Sequence, residues 1–159
     1  MSLRKSVEQY EDTSFANNES IPLQKLRPIA TSGRNVTVLL VDDDEFIRDV
    51  TTEILMSNGY KVILAKNGAE ALQLYRLHMD LVDAVFLDLN MPRMNGEEAL
   101  CELMKMNNDV NVIISSGYCE EEVKERFLCK GAVAFIQKPY NFSVLTQTLE
   151  LIISSNGEV

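Results

Sequence analysis

From Val36 onward, short apolar runs alternate with stretches in which apolar residues return every three or four positions. VTVLLV (36–41), DAVFLD (83–88), VNVIIS (110–115) and AVAFIQ (132–137) are continuous and short, which predicts buried strands. YKVILA (60–65) alternates instead, and Lys61 within it suits an exposed sheet edge. Between these runs the period is 3.6. Residues 44–57 predict a helix that buries Phe46, Val50 and Ile54 and stops at Gly59. Asn67 with Glu70, and Asn95 with Glu98, mark two further helix starts of the capping-box type. Glu120, Glu121 and Glu122 open a fourth helix, and Arg126 and Lys130 close it, an order that complements the helix dipole; Gly131 follows. Asn141 caps a last helix with Val144, Leu145, Thr148, Leu149 and Ile152 inward. Five strand–helix repeats predict an α/β fold, a doubly wound five-stranded parallel sheet with helices on both faces.

Residues 1–35 break this pattern. They are rich in Ser, Asn, Gln and Glu, contain Pro22 and Pro28 and hold no period, so they read as a linker or N-terminal arm. Ile21, Leu23, Leu26 and Ile29 are its apolar residues. The expected organisation is an arm (1–35), one domain (36–155) and a short C-terminal tail (156–159), in keeping with 159 residues that are 46% hydrophobic and 25% charged.

The net charge of −9 lies almost wholly in the domain. Residues 36–159 carry 10 Lys and Arg against 20 Asp and Glu, whereas the arm carries 5 against 4. So acidic a domain lacks the electrostatic footprint of a nucleic-acid binder. No apolar stretch reaches the roughly 20 residues of a spanning helix, so no membrane contact and a cytoplasmic location are expected. Cys101, Cys119 and Cys129 have no metal-ligand spacing and their odd count argues against a disulfide framework.

Charge also marks the candidate chemistry. Asp42 and Asp43 close the first strand and Asp88 the third, and a parallel sheet delivers its strand ends to one crevice. Carboxylates gathered there repel one another and call for a hard cation, with oxygen ligation favouring Mg²⁺. Ser116 and Lys138 end the fourth and fifth strands on the same side. A carboxylate nucleophile, a metal site, a hydroxyl and an ammonium together equip a pocket to accept a phosphoryl group on Asp88.

The segments LLVDDDE, FLDLNMPRMNG, IISSGY and FIQKP resemble, in order and spacing, the four signature segments of response-regulator receiver (CheY-like) domains of two-component signalling. The resemblance covers about residues 36–155. It implies a flavodoxin-like (βα)5 fold with strand order 2-1-3-4-5. Asp88 would be the phosphoacceptor, and Asp43 a direct Mg²⁺ ligand, with Asp42 acting through water and the Asn90 backbone carbonyl completing the protein ligands; Mn²⁺ could substitute. Ser116 would bond one phosphoryl oxygen and Lys138 another, Pro139 would follow a cis bond, and Phe135 would be the switch aromatic. The implied donor is a histidine kinase or histidine phosphotransfer protein, and the implied readout is the surface of the fourth helix, fifth strand and fifth helix. Such a domain modifies itself and turns over no outside substrate, so it is not expected to be an enzyme. The SSGYCEEEVKERF run especially resembles receivers of hybrid sensor histidine kinases, which implies a covalent kinase fusion upstream of residue 36.

Two other functions compete. Asp42-x-Asp44 after a strand is also the opening of a haloacid-dehalogenase-type phosphatase, with Asp42 as nucleophile and Asp44 as general acid. That motif expects Thr or Val where Phe46 stands and a later acidic pair, and it leaves Asp88 unused. The other rival is a phosphorylation-independent interaction module of the same fold, which has no need of an intact acidic pocket and lysine. Asp44 and Glu45 are otherwise explained as first-turn residues at a positive helix end, and the lone His78 as a surface residue.

Overall fold

A computed structural model describes residues 35–117, 121–139 and 141–154. The apolar arm residues and the C-terminal tail lie outside these, as do Cys119 and Glu120. Strands β1 (Thr37–Val41), β2 (Lys61–Ala65), β3 (Ala84–Asp88), β4 (Val112–Ser116) and β5 (Ala134–Gln137) alternate with helices α1 (Glu45–Ser57), α2 (Gly68–His78), α3 (Gly96–Met106), α4 (Glu121–Cys129) and α5 (Phe142–Ser154). All four strand pairings are parallel, in the order β2-β1-β3-β4-β5. The chain starts near the sheet centre, steps out to β2 and returns to β3. The C-terminal ends of β1 and β3 therefore flank the point where strand order reverses, which is where open α/β sheets form their crevice.

β1, β3 and β4 are buried along their whole length, as their unbroken apolar runs require. β2 is an edge with Lys61 and Leu64 exposed, and its half-buried Val62 and Ile63 pack against the clusters on opposite faces of the sheet. Two apolar clusters cover the sheet. Leu40, Phe86, Ile113 and Ile136 pack with Leu55 of α1 and Leu145, Leu149 and Ile152 of α5. Val41, Leu87 and Ile114 pack on the other face with Tyr75 of α2, Leu100 and Leu103 of α3 and Phe127 of α4.

The helix boundaries follow local chemistry. Asn67 Oδ1 accepts the Glu70 N–H at 2.8 Å and Asn95 Oδ1 the Glu98 N–H at 2.9 Å, so both marked starts are capped. Asn141 Oδ1 accepts the Ser143 N–H at the start of α5. Gly59 and Gly131, at φ +87° and +109°, follow the ends of α1 and α4. Arg126 and Lys130 do more than complement a dipole: both reach Glu97 of α3, Arg126 at 2.8 Å, and tie α4 to its neighbour.

One expectation is corrected. Phe46 does not face the core; it is 72% exposed. The inward residues of α1 are Thr51 and Leu55, one position out of phase with Phe46, Val50 and Ile54. Both sets share the 3.6 period, and the apolar pattern alone overlooked that threonine can occupy a buried helix position. Thr51 is fully buried, whereas Val50 and Ile54 flank the interface.

Candidate functional site

Each polar side chain of the crevice sits where a buried strand ends. Asp88 is the last residue of β3 and Asp42 directly follows β1, so burial of the strands carries both carboxylates inward: they are 3% and 2% exposed. Asp43, one residue on, is exposed. One oxygen from each of Asp42, Asp43 and Asp88 lies within 4.8 Å of the others. Lys138, just after β5, places Nζ 2.9 Å from Asp42 Oδ2 and 3.3 Å from Asp88 Oδ1. Its N–H donates to the Ser116 carbonyl at 2.7 Å, and the following Lys138–Pro139 peptide is cis.

The loops are held by their own backbone bonds. Asp42 Oδ1 accepts the Asp44 N–H at 2.9 Å, and its carbonyl accepts from Arg48 Nη1 at 2.8 Å, so α1 steadies the first acid. Asp44 in turn accepts the Ile47 N–H and is the N-cap of α1, the structural role its position predicts and not the free carboxyl that a phosphatase would need. Asp88 Oδ1 accepts the Asn90 N–H at 3.2 Å. The chain then turns through Arg93, at φ +73°, into α3, where a Cβ on Gly96 would lie 2.6 Å from the Asp88 carbonyl oxygen and 2.7 Å from Leu89 Cα. Only glycine admits that approach.

Electrostatics follow from this crowding. Burial first and the neighbouring Asp42 charge second raise the Asp88 carboxyl from its ordinary 3.8 to about 6, against the opposing pull of Lys138 and the Asn90 amide. Burial works against the Lys138 ammonium, yet its hydrogen bond to Asp42 and the field of Asp88 hold it above its ordinary value. Three carboxylates face one ammonium, so the cluster keeps an excess of negative charge on an all-oxygen donor set. That fits a hard divalent cation such as Mg²⁺.

Ser116 ends β4 fully buried, and Phe135 is half-buried against the cluster under α4. Asn90 is exposed two residues beyond Asp88. The sequence had not singled out Arg48, Gly96 or Ser115. Arg48 had no signal beyond a cation in the first turns of α1. Ser115 could have been found by alternation, because it stands two residues beyond Ile113 and must share its face.

Residues 38–150 match the family model of the response regulator receiver domain. The chain is 35% identical over 104 residues to the chemotaxis protein CheY of Bacillus subtilis (strain 168), covering 65% of this chain and 85% of that protein. It is 34% identical over 116 residues to sensor kinase CckA of Brucella abortus (strain 2308), covering 73% of this chain but only 12% of the kinase. Among solved structures, the CheX–CheY–BeF3–Mg²⁺ complex from Borrelia burgdorferi aligns with a TM-score of 0.73 at 32% identity, over 81% of this chain and 98% of that one. The sheet order, the carboxylate-lined crevice and these matches agree: this chain belongs to the response regulator receiver domains of two-component signalling.

Proposed function

We propose that Asp88 accepts a phosphoryl group from a phosphohistidine, on a histidine kinase or a histidine phosphotransfer protein, and that the domain switches while the group is attached. The observation that carries this reading is the convergence of Asp42, Asp43 and Asp88 within 4.8 Å, with Lys138 bridging two of them. Asp88 is a buried carboxylate that forms the last residue of a buried strand. Lys138 and the Asn90 amide both contact its Oδ1, so Oδ2 has the more available lone pairs for attack.

In the proposed step Asp88 Oδ2 bonds to phosphorus as the P–N bond to the donor imidazole breaks, and the bonding pair returns to the ring nitrogen. Loss of the group is the reaction with water, which breaks the same acyl P–O bond and restores the carboxylate. Lys138 then balances charge on a phosphoryl oxygen, and the Ser116 hydroxyl donates to another. Asp42, Asp43 and Asp88, with the Asn90 carbonyl, would hold Mg²⁺ or Mn²⁺, which when bound offsets negative charge on the transferring group. The Borrelia relative was crystallised with Mg²⁺ and BeF3, which supports this cofactor.

The proposed switch lies on the opposite face of the sheet. Ser116 and Phe135 belong to the side covered by α4. Drawing Ser116 toward a phosphoryl oxygen would open space for Phe135 and alter the surface of α4, β5 and α5. The match to part of a sensor kinase supports a kinase fusion for this chain.

The test is intact-protein mass after incubation with acetyl phosphate, with and without Mg²⁺, on wild type and Asp88→Ala. A metal-dependent phosphoryl adduct on wild type alone is expected. No adduct, or the same adduct on Asp88→Ala, refutes the assignment.

A further inference from the structure

The sheet register sorts the pocket by face. Phe86 and Ile113 pack under α1 and α5, whereas Leu87 and Ile114 pack on the other side. Two residues beyond Phe86 and Ile113, Asp88 and Ser115 therefore project on the α1/α5 face, and Ser116 projects on the other. Asp88 and Ser115 are register partners on adjacent strands, and strands pair at about 4.8 Å, so their Cβ atoms stand side by side. The Leu89 N–H bonds the Ser115 carbonyl at 3.0 Å and holds the two strand ends together.

Ser115 is 1% exposed, and its Oγ has no hydrogen-bond partner among the described residues. Its neighbours on that face, Ile113, Ala134 and Ile136, are apolar and buried. An apolar side chain would suit the packing better, and an unpaired buried hydroxyl is costly. The hydroxyl is thus unused in the free carboxylate state, beside the one group whose chemistry is proposed to change.

We infer that Ser115 is a second hydroxyl donor of the site, hydrogen-bonding Asp88 Oδ1 once Oδ2 carries a phosphoryl group. This rests on the phosphoacceptor reading above. In the free state Lys138 and the Asn90 amide serve Asp88 Oδ1. Once a phosphoryl group adds negative charge nearby, the Lys138 ammonium follows that charge, and Oδ1 keeps the Asn90 amide but loses its second donor. Ser115 fills the vacancy by a rotation about χ1, with no backbone movement. Ser116 and Ser115 then read the phosphorylated state from opposite faces: one tied to α4, the other internal to the pocket.

The test compares wild type, Ser115→Ala and Ser115→Thr by thermal unfolding and by beryllofluoride binding in Mg²⁺, followed by fluorine NMR. Without beryllofluoride, Ser115→Ala is expected to melt at or above the wild-type temperature, because it removes an unpaired group. With it, Ser115→Ala is expected to bind roughly tenfold more weakly, the value of one hydrogen bond to a charged or polarised acceptor, and Ser115→Thr to restore binding. Equal binding by wild type and Ser115→Ala overturns the inference and leaves the phosphoacceptor reading standing. A lower melting temperature of free Ser115→Ala also overturns it, since the hydroxyl would already be in structural use. If wild type binds no beryllofluoride and forms no acetyl phosphate adduct, the phosphoacceptor reading itself fails.

Discussion

Replacing Asp88 by Asn tests the electrostatics of the crevice apart from its chemistry. Asparagine keeps the shape of the side chain and an oxygen to accept the Asn90 N–H, but carries no charge. Burial and Asp42 push the Asp88 carboxyl from 3.8 to about 6, so the folded domain binds that proton more tightly than the unfolded chain does. Stability therefore falls as pH rises through the window between about 4 and 6, and remains reduced above it. Two pH units correspond to about 3 kcal/mol, an upper bound for what ionised Asp88 costs the metal-free fold near neutrality. Asp88→Asn should recover part of this, raising the melting temperature by several degrees at about 4 °C per kcal/mol.

The assay is thermal unfolding of the full chain in EDTA at about pH 7.5 and about pH 4.5, repeated with Mg²⁺ at the higher pH. In EDTA near pH 7.5 the Asn variant should melt higher than wild type. Near pH 4.5, low in that window, Asp88 is protonated in the folded protein and the gap should narrow to about a third. Mg²⁺ should raise wild type more than the variant, because the variant has lost one of the three clustered carboxylates. A variant that melts lower than wild type in EDTA near pH 7.5, or that gains equally at both pH values, refutes the reasoning. Asp88 would then be stabilised as a carboxylate, with Lys138 outweighing burial.

Two further outcomes test the frame around the site. Gly96→Ala should cost about 1–3 kcal/mol in urea unfolding and slow acetyl phosphate labelling, since its Cβ would meet the backbone of Asp88 and Leu89; a wild-type midpoint would refute the close approach. Leu55→Ala should cost about 2–5 kcal/mol and Phe46→Ala less than about 0.5, and the reverse order would refute the phase of α1.

How far the sequence could reach depends on which interactions are local. The alternation of strands and helices was legible because short apolar runs and 3.6-period stretches differ in pattern, the strand order came only with the resemblance of the four segments, and the caps at Asn67, Asn95 and Asn141 were legible because each bond spans two or three residues. The phase of α1 was not, because two interleaved sets share one period and only contact with the sheet chooses between them. Which residues meet Lys138 was likewise beyond local pattern: it lies 96 residues from Asp42 and is joined to it by sheet order alone.

Sheet register adds a constraint that motif matching omits. The segment IISSGY carries two adjacent hydroxyls, and resemblance singles out only Ser116. Period-2 alternation sends the two to opposite faces, Ser115 beside Asp88 and Ser116 toward the cluster under α4. A group drawn toward the phosphoryl from the α4 side can move an outer surface, because α4 has only Phe127 fully buried and a surface tie to Glu97. One drawn from the α1/α5 side cannot, since it lies among fully packed residues of β3, β4 and β5. The first hydroxyl is therefore suited to signalling and the second to holding the modified state. On this basis Ser115→Ala should weaken beryllofluoride binding without changing what α4 presents when the site is saturated.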